Sequence, residues 1–592
     1  MASNAGEYTQ EFRTVKTFGA VGDGVTDDST AIQAAIDYAE SLVTSTTAFA
    51  STGADVTFPP GKYLIGTTLT VEKSGVRLIG PGGNGAILTG NVLLVKVGDY
   101  TDTVNTTRLR DNAVQGLILK ASATNNATAA LELYRTIGAR VECTFVDFNI
   151  GIDSYRSTGT DPSGSNFQNP NRTTNALAFI RMQGIDETAR AIPNTYAPGG
   201  NWFMQNCDGE GDSAAAFTTY GLYILACDGF YSDNCHFNKV RYGISCEPDA
   251  TPANHIITGL MFDNFYADQA SSLATAPVQV RLHGTVKETI TMASAATQRS
   301  VYEGIRFNGV YLRGGAVSRN GVSVSVTDGD TWVATGTRKL EDIAFVGGEI
   351  EGFTQNGVLI AGASSARVEP YGVRFTGITF DDNNADGTIT DGTAISAECQ
   401  NIAIYGNTFG ADANAATTVI AINFTISGSE VPSLAIGPND FTQSNFTGRS
   451  PVTYTALSGT QAQMSGNLYP GVGRDISETV KITTTNATAT VIWSRTIPAT
   501  TSGRISVVAA ASDASVAEYG VYTITGRFIR TTAGAAAWLG ADPVNDYTND
   551  SGGMPATPIV ASFVGNVLTL TVTGIAATPI TWNAKIDFLT SK

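Results

Sequence analysis

One phrase recurs through the middle of this 592-residue chain and limits what it can fold into: apolar, any, apolar, any, Gly or Asn, apolar, any, apolar. It reads Ile305-Arg-Phe-Asn-Gly-Val-Tyr-Leu-Arg, Ile343-Ala-Phe-Val-Gly-Gly-Glu-Ile-Glu and Leu260-Met-Phe-Asp-Asn-Phe-Tyr-Ala-Asp. Ile378-Thr-Phe-Asp-Asp-Asn-Asn-Ala-Asp fits more loosely, and earlier copies start at Phe230 and Trp202. A second short apolar run often follows a glycine, as at Gly243, Gly321, Gly357 and Gly392. Starts lie up to 45 residues apart (Leu260 to Ile305), so coils of roughly 24 residues carry insertions. Such a unit cannot bury its apolar side alone, whereas stacked copies bury a continuous core. The chain is also too long for one compact core, which leaves several domains or one long repeat.

Period-two alternation sends Ile305, Phe307, Val310 and Leu312 inward and Arg306, Tyr311 and Arg313 outward. The Gly or Asn is a bend, where left-handed backbone is cheap. Stacking at about 4.8 Å per rung aligns equivalent positions into columns. Composition agrees with many short strands: 63 Gly, 20 Pro and only 15% charged residues. A formal net charge of −17, with no basic stripe, excludes nucleic acid and anionic membranes as partners. No apolar run reaches about 18 residues, so no membrane insertion is expected. The six cysteines show no CxxC pair and read as small buried hydrophobes, with Cys207 and Cys235 at the inward Val310 position.

The most specific local signal lies near the start. Phe18-Gly-Ala-Val-Gly-Asp-Gly-Val-Thr-Asp-Asp-Ser-Thr-Ala-Ile is glycine-punctuated turn chemistry leading into a helix. Thr26, Asp27 and Asp28 offer N-cap oxygens, and Ile32, Ala35, Ile36 and Ala39 recur at helical spacing. A helix here would cover unpaired strand edges at the open end of a coil. Phe58-Pro-Pro-Gly-Lys-Tyr-Leu-Ile and Val76-Arg-Leu-Ile-Gly follow. Over about the first 80 residues these motifs resemble the opening of the pectate-lyase superfamily, shared by bacteriophage tailspikes and polygalacturonase-like enzymes. The resemblance implies a right-handed parallel β-helix with high specificity and a chemistry with low specificity.

The expected organisation is all-β. Residues 1–80 form the N-terminal cap and first coils, 81–440 the parallel β-helix with its functional face, 441–475 a linker, and 476–592 a C-terminal antiparallel β-sandwich. In the sandwich, alternating runs such as Val567-Leu-Thr-Leu-Thr-Val replace the phrase, and Trp493, Trp538 and Trp582 are core. It is similar to tailspike C-terminal domains, which serve trimerisation and sometimes carbohydrate binding.

Columns nominate a site. The outward Tyr311 position holds Asp208, His236, Tyr266, Tyr311, Glu349 and Asn384. Two residues on, the Arg313 position holds Glu210, Asn238, Asp268, Arg313, Glu351 and Asp386. A slip of one residue would exchange inside for outside. Glycosidic hydrolysis needs two carboxyl groups, one protonated and one ionised. Glu349 and Glu351, about 6.5–7 Å apart at Cα, Asp268, about 9–10 Å from Glu351 two rungs on, and Asp208 are the catalytic candidates. His236, Tyr266, Tyr311, Arg313 and Trp332 supply the mix of stacking and hydrogen-bonding groups that sugars require. With three histidines in the chain and no Asp cluster at calcium-loop spacing, no cofactor or metal is called for. Asp381 and Asp382 read as turn caps.

The leading expectation is a phage tailspike that binds and cuts a bacterial surface polysaccharide, capsule or O-antigen, by endo-glycosidic hydrolysis. The resemblance implies a homotrimer located in the virion tail. A uronate lyase using Tyr266, Tyr311, His236 and Arg313, and a non-catalytic receptor-binding spike, are the alternatives. The N-terminus has no basic or apolar leader region, so synthesis in a host cytoplasm is expected. Because the superfamily motif starts almost at once, either a head domain is missing or the first dozen residues dock on another tail protein.

Overall fold

The computed structural model describes residues 14–43, 53–98, 108–172, 175–211, 218–246, 256–268, 278–286, 301–314, 320–328, 339–361, 371–383, 394–410, 420–423, 433–441, 452–455, 461–467, 476–484, 488–497, 501–513, 519–548 and 558–591, apart from 84, 125, 184, 187–195, 198, 382, 398, 400, 465, 466, 532, 533, 541, 542, 576 and 577. The chain packs as two compact units. The first takes residues 1–403, 411–433 and 445–461, and the second takes 404–410, 434–444 and 462–592. Most of the expected linker, 441–475, lies outside the described residues.

The first unit is a right-handed parallel β-helix whose coils feed two long parallel sheets. It opens with one helix, Ser29–Leu42, which buries Ile32, Ala35, Ile36 and Ala39 against the first strands, Ala54–Thr57 and Leu69–Val71. The helix start differs from expectation. Asp28 occupies the N-cap but makes no side-chain cap bond. Its carboxylate turns back to accept the amides of Val21 (2.6 Å) and Gly22 (3.0 Å), and Asp27 takes the Ser29 amide instead at 3.0 Å. The glycine turn is therefore tied to the helix by a buried carboxylate, and Gly22, at φ 69°, lies under the Tyr63 ring, where a Cβ would sit 2.9 Å from a ring carbon.

The repeated phrase forms the rungs. Leu260, Ile305 and Ile343 stand in register, as do Phe262, Phe307, Phe345 and Phe375. These four rings are fully buried and stack at 4.7, 4.7 and 5.2 Å, each pair within 10° of parallel. In-register parallel pairing puts identical side chains one rung apart, so phenylalanine at every turn yields a continuous stack inside the coil. At the bend, Asn206, Asn234, Asn264, Gly309, Gly347 and Gly377 all have φ between 50° and 69°. Asparagine tolerates this left-handed conformation and hydrogen-bonds its neighbour: the Asn234 amide donates to Asn206 Oδ1 at 2.7 Å. All six cysteines are buried and free.

One copy was misread. Phe345 pairs with Phe375 and Glu349 with Thr379, so the rung begins at Val373 and not at Ile378. Ile378 is the residue after the bend, at the Val310 position. Thr379 and Asp381 thereby replace Asn384 and Asp386 in the two outward columns, and Asp381 is a strand residue (Thr379–Asp381) rather than a turn cap. Asn384, Asp386 and Asp382 lie outside the described residues.

In the second unit, antiparallel strands form two sheets. Ile476–Thr484, Ile580–Ser591, Thr501–Ser512, Tyr519–Arg530 and Ala537–Trp538 pair in that order, and Val544–Thr548 also pairs with Tyr519–Arg530. Ala489–Thr496, Val567–Thr573 and Ile559–Val564 make the other sheet. Their inner faces share one core that contains Trp493 and Trp582, with Trp538 packed against it. The Trp582 indole N–H donates to the buried Thr484 hydroxyl at 3.1 Å, which satisfies its polar edge. The same unit carries an asparagine ladder in which Asn439 Oδ1 accepts the Asn407 amide and Asn467 Oδ1 the Asn439 amide, both at 3.0 Å. Among the described residues no helix is long and apolar enough to cross a membrane.

Candidate active site

The outward columns run as register dictates. Asp208, His236, Tyr266, Tyr311, Glu349 and Thr379 follow one another on adjacent rungs, and Glu210, Asn238, Asp268, Arg313, Glu351 and Asp381 run beside them. Tyr266, Tyr311 and Glu349 thus share one exposed flank, and Tyr311 is 46% exposed.

The upper rungs hold a cluster of carboxylates around one guanidinium. Arg313 Nε lies 3.0 Å from Glu351 Oε1. Asp381 stands one rung above Glu351, and Asp268 stands one rung below Arg313. Glu349 sits beside this group with a pKa raised above the ordinary glutamate value. Partial burial is the main cause, the negative charges of Glu351 and Asp381 add to it, and Arg313 opposes. The structure therefore sets an ion-paired carboxylate, Glu351, two residues from a carboxyl group that holds its proton more tightly. Tyr266 lies beside Arg313 and Asp268, and its pKa is also raised, by burial first and then by Asp268.

The lower rungs form a separate group. His236 Nδ1 is 3.4 Å from Asp208 Oδ1, its Nε2 is 2.9 Å from Asn238 Oδ1, and its ring meets Tyr266 edge-on at 4.4 Å. Lys239 is paired with Glu210 at 2.6 Å. Asp208 lies four rungs from Glu349, about 19 Å at 4.8 Å per rung, so the fold does not bring it to the upper carboxylates. Trp332 lies outside the described residues. Among the described residues no three carboxylate, imidazole or thiol groups converge as a metal site.

Two features escaped the sequence reading. Asp381 was hidden by the misread copy, although Val373-Arg-Phe-Thr-Gly-Ile-Thr-Phe-Asp is the better match to the phrase, with its glycine at the bend. The outward column of the preceding strand (Phe203, Tyr231, Met261, Arg306, Ala344 and Arg374) went unread because only the second half of the phrase was searched for chemistry.

The raised Glu349 pKa gives a pH prediction. If Glu349 acts as an acid, activity is present while it is protonated and is lost as pH rises through its pKa, so the alkaline limb of kcat/KM reports it. Asp381→Asn removes a charge that raises this pKa and is expected to move the limb to lower pH. Arg313→Ala removes a charge that lowers it and is expected to move the limb to higher pH. A pH–rate profile of the two variants checks the sign of each shift; a limb unmoved in both would remove Glu349 from the titration.

Residues 12–264 match the family model described as rhamnogalacturonase A/epimerase, pectate lyase-like. The stacked coils are consistent with a parallel β-helix of the pectate-lyase type. The chain is similar to several solved structures. One is the tailspike protein gp49 of Acinetobacter baumannii bacteriophage Fri1, a capsular polysaccharide depolymerase (12% identity, 97% of this chain and 85% of that chain covered, TM-score 0.34). Another is PfbA, a surface adhesin of Streptococcus pneumoniae (14%, 75% and 93%, 0.45). A third is the A-module of the Azotobacter vinelandii mannuronan C-5 epimerase AlgE6 (16%, 77% and 98%, 0.38). No curated protein sequence matches the chain.

Proposed function

We propose that this protein binds a bacterial surface polysaccharide, capsule or O-antigen, and cuts it within the chain by glycosidic hydrolysis. The observation that carries the reading is the pairing of Glu349, whose pKa is raised by partial burial and by neighbouring negative charge, with Glu351, ion-paired to Arg313. In this reading Glu349 gives its proton to the leaving glycosidic oxygen. Glu351 takes a proton from a water that attacks the anomeric carbon, leaving one new reducing end and one new hydroxyl end. Their two-residue spacing on one strand puts both carboxyls on the same outward flank.

Elimination from a uronate is the second reading, favoured by the contact of Tyr266 with Arg313, an arrangement of base and carboxylate-neutralising cation. The raised Tyr266 pKa counts against it, because a base has to give up its proton readily. The same proposal places the protein in a virion tail as a homotrimer docked on another tail protein, and light scattering tests the trimer.

The function test uses a panel of purified capsular and O-antigen polysaccharides, followed by a reducing-end assay and by absorbance of unsaturated uronate. Reducing ends without the unsaturated band are the expected result. The band would move the assignment to a lyase, and retention with no shortening would leave a binding spike.

A further inference from the structure

On the same sheet, one strand before the carboxylate columns, an exposed aromatic ring stacks on a half-buried one. Phe203 and Tyr231 occupy adjacent rungs and stack at 5.4 Å and 15°. Phe203 is 41% exposed, unlike the inward rings of the coil, and its neighbour on the far side from Tyr231 is the stretch at Thr160, whose carbonyl accepts the Phe203 amide. Phe203, exposed beside the half-buried Tyr231, leaves apolar ring surface in water that suits the apolar face of a pyranose.

Carboxylates outnumber cations around it, with Arg306 two rungs beyond Tyr231 in the same column. Asp228, Asp233 and Asp263 line the first strand of these rungs, and Asp208, Glu210 and Asp268 line the second. Lys239 is tied to Glu210, and the chain as a whole carries −17. Acidic sugars would be repelled here, while hydroxyl and amino groups meet acceptors.

We infer that Phe203 and Tyr231 form a sugar-holding station for a neutral or amino-sugar residue of the glycan, set three to four rungs before Glu349. Three to four rungs are about 14–19 Å, several pyranose rings, so the glycan lies along the coil axis and a fragment too short to bridge the station and the carboxylates is held weakly. The direction of the bound chain rests on the hydrolytic reading of Glu349 and Glu351; the station itself does not.

The test is retention on an immobilised panel of purified capsular and O-antigen polysaccharides, sorted by the presence of acidic sugars, with wild type, Phe203→Ala, Phe203→Tyr and Glu349→Gln compared at equal thermal stability. The expected result is retention by glycans free of acidic sugars, at least 10-fold weaker retention for Phe203→Ala, rescue by Phe203→Tyr, and full retention by Glu349→Gln. Unchanged retention in Phe203→Ala, retention restricted to acidic glycans, or no retention by wild type would overturn the inference. If Phe203→Ala loses retention while Glu349→Gln and Glu351→Gln still cleave, the station stands and the hydrolytic reading falls; the reverse pattern removes only the station.

Discussion

Replacing Glu349 with glutamine is expected to lower kcat on the cleaved polysaccharide by about 10²–10⁴-fold, the usual contribution of a positioned general acid or base, while retention of the glycan and thermal stability stay near wild type. The substitution keeps side-chain shape and removes only the transferable proton. Glu351→Gln is expected to fall in the same range, because it removes the base and leaves Arg313 without the carboxylate that now lies 3.0 Å away. The double variant is expected to lose little more than either single one, since two groups that act in one step are not additive. Reducing-end kinetics on purified protein, with a melting curve as the folding control, decide the matter. Full activity in both single variants would take the pair out of the mechanism.

The largest stability effect is expected inside the coil. Phe307 is fully buried between Phe262 and Phe345, at 4.7 Å from each ring. Phe307→Ala empties the middle of this stack and is expected to destabilise the protein by about 3–5 kcal/mol. Its neighbours belong to two other rungs held by backbone ladders, so collapse into the hole is limited and the upper part of that range applies. A long repeat unfolds with poor reversibility, so the inactivation half-life at fixed temperature is the sounder readout. Phe307→Leu, which keeps most of the volume, is expected to recover much of the loss. A half-life unchanged in Phe307→Ala would mean that the rings do not stack as a continuous core.

The repeat was legible because its physics is local and periodic. Ile305, Phe307, Val310 and Leu312 announce an inward set, and Asn or Gly at the bend announces left-handed backbone; all four residues are buried. The columns followed for the copies starting at Trp202, Phe230, Leu260, Ile305 and Ile343, whose spacing from strand to bend is constant. The copy near Ile378 failed because its apolar pattern repeats within itself: Val373 and Phe375 precede the glycine, and Ile378 and Phe380 follow it. Either pair can start the phrase, and only pairing with Phe345 decides between them. Asp381 was lost to that ambiguity. Asp28 was misassigned for a different reason, since a carboxylate at a helix start can serve the helix or the preceding turn, and only the fold of residues 18–24 shows that Val21 and Gly22 take it. The separation of Asp208 from Glu349 was implicit in the rung count but not in any local pattern.

The most direct measurement is a crystal structure of Glu349→Gln soaked with fragments of a polysaccharide that the wild type cleaves. The account predicts sugar density over the flank of Tyr266 and Tyr311, with a glycosidic oxygen within hydrogen-bonding reach of the residue 349 side chain. Density confined to the opposite parallel sheet or to the C-terminal sandwich, with the flank bare, would contradict it.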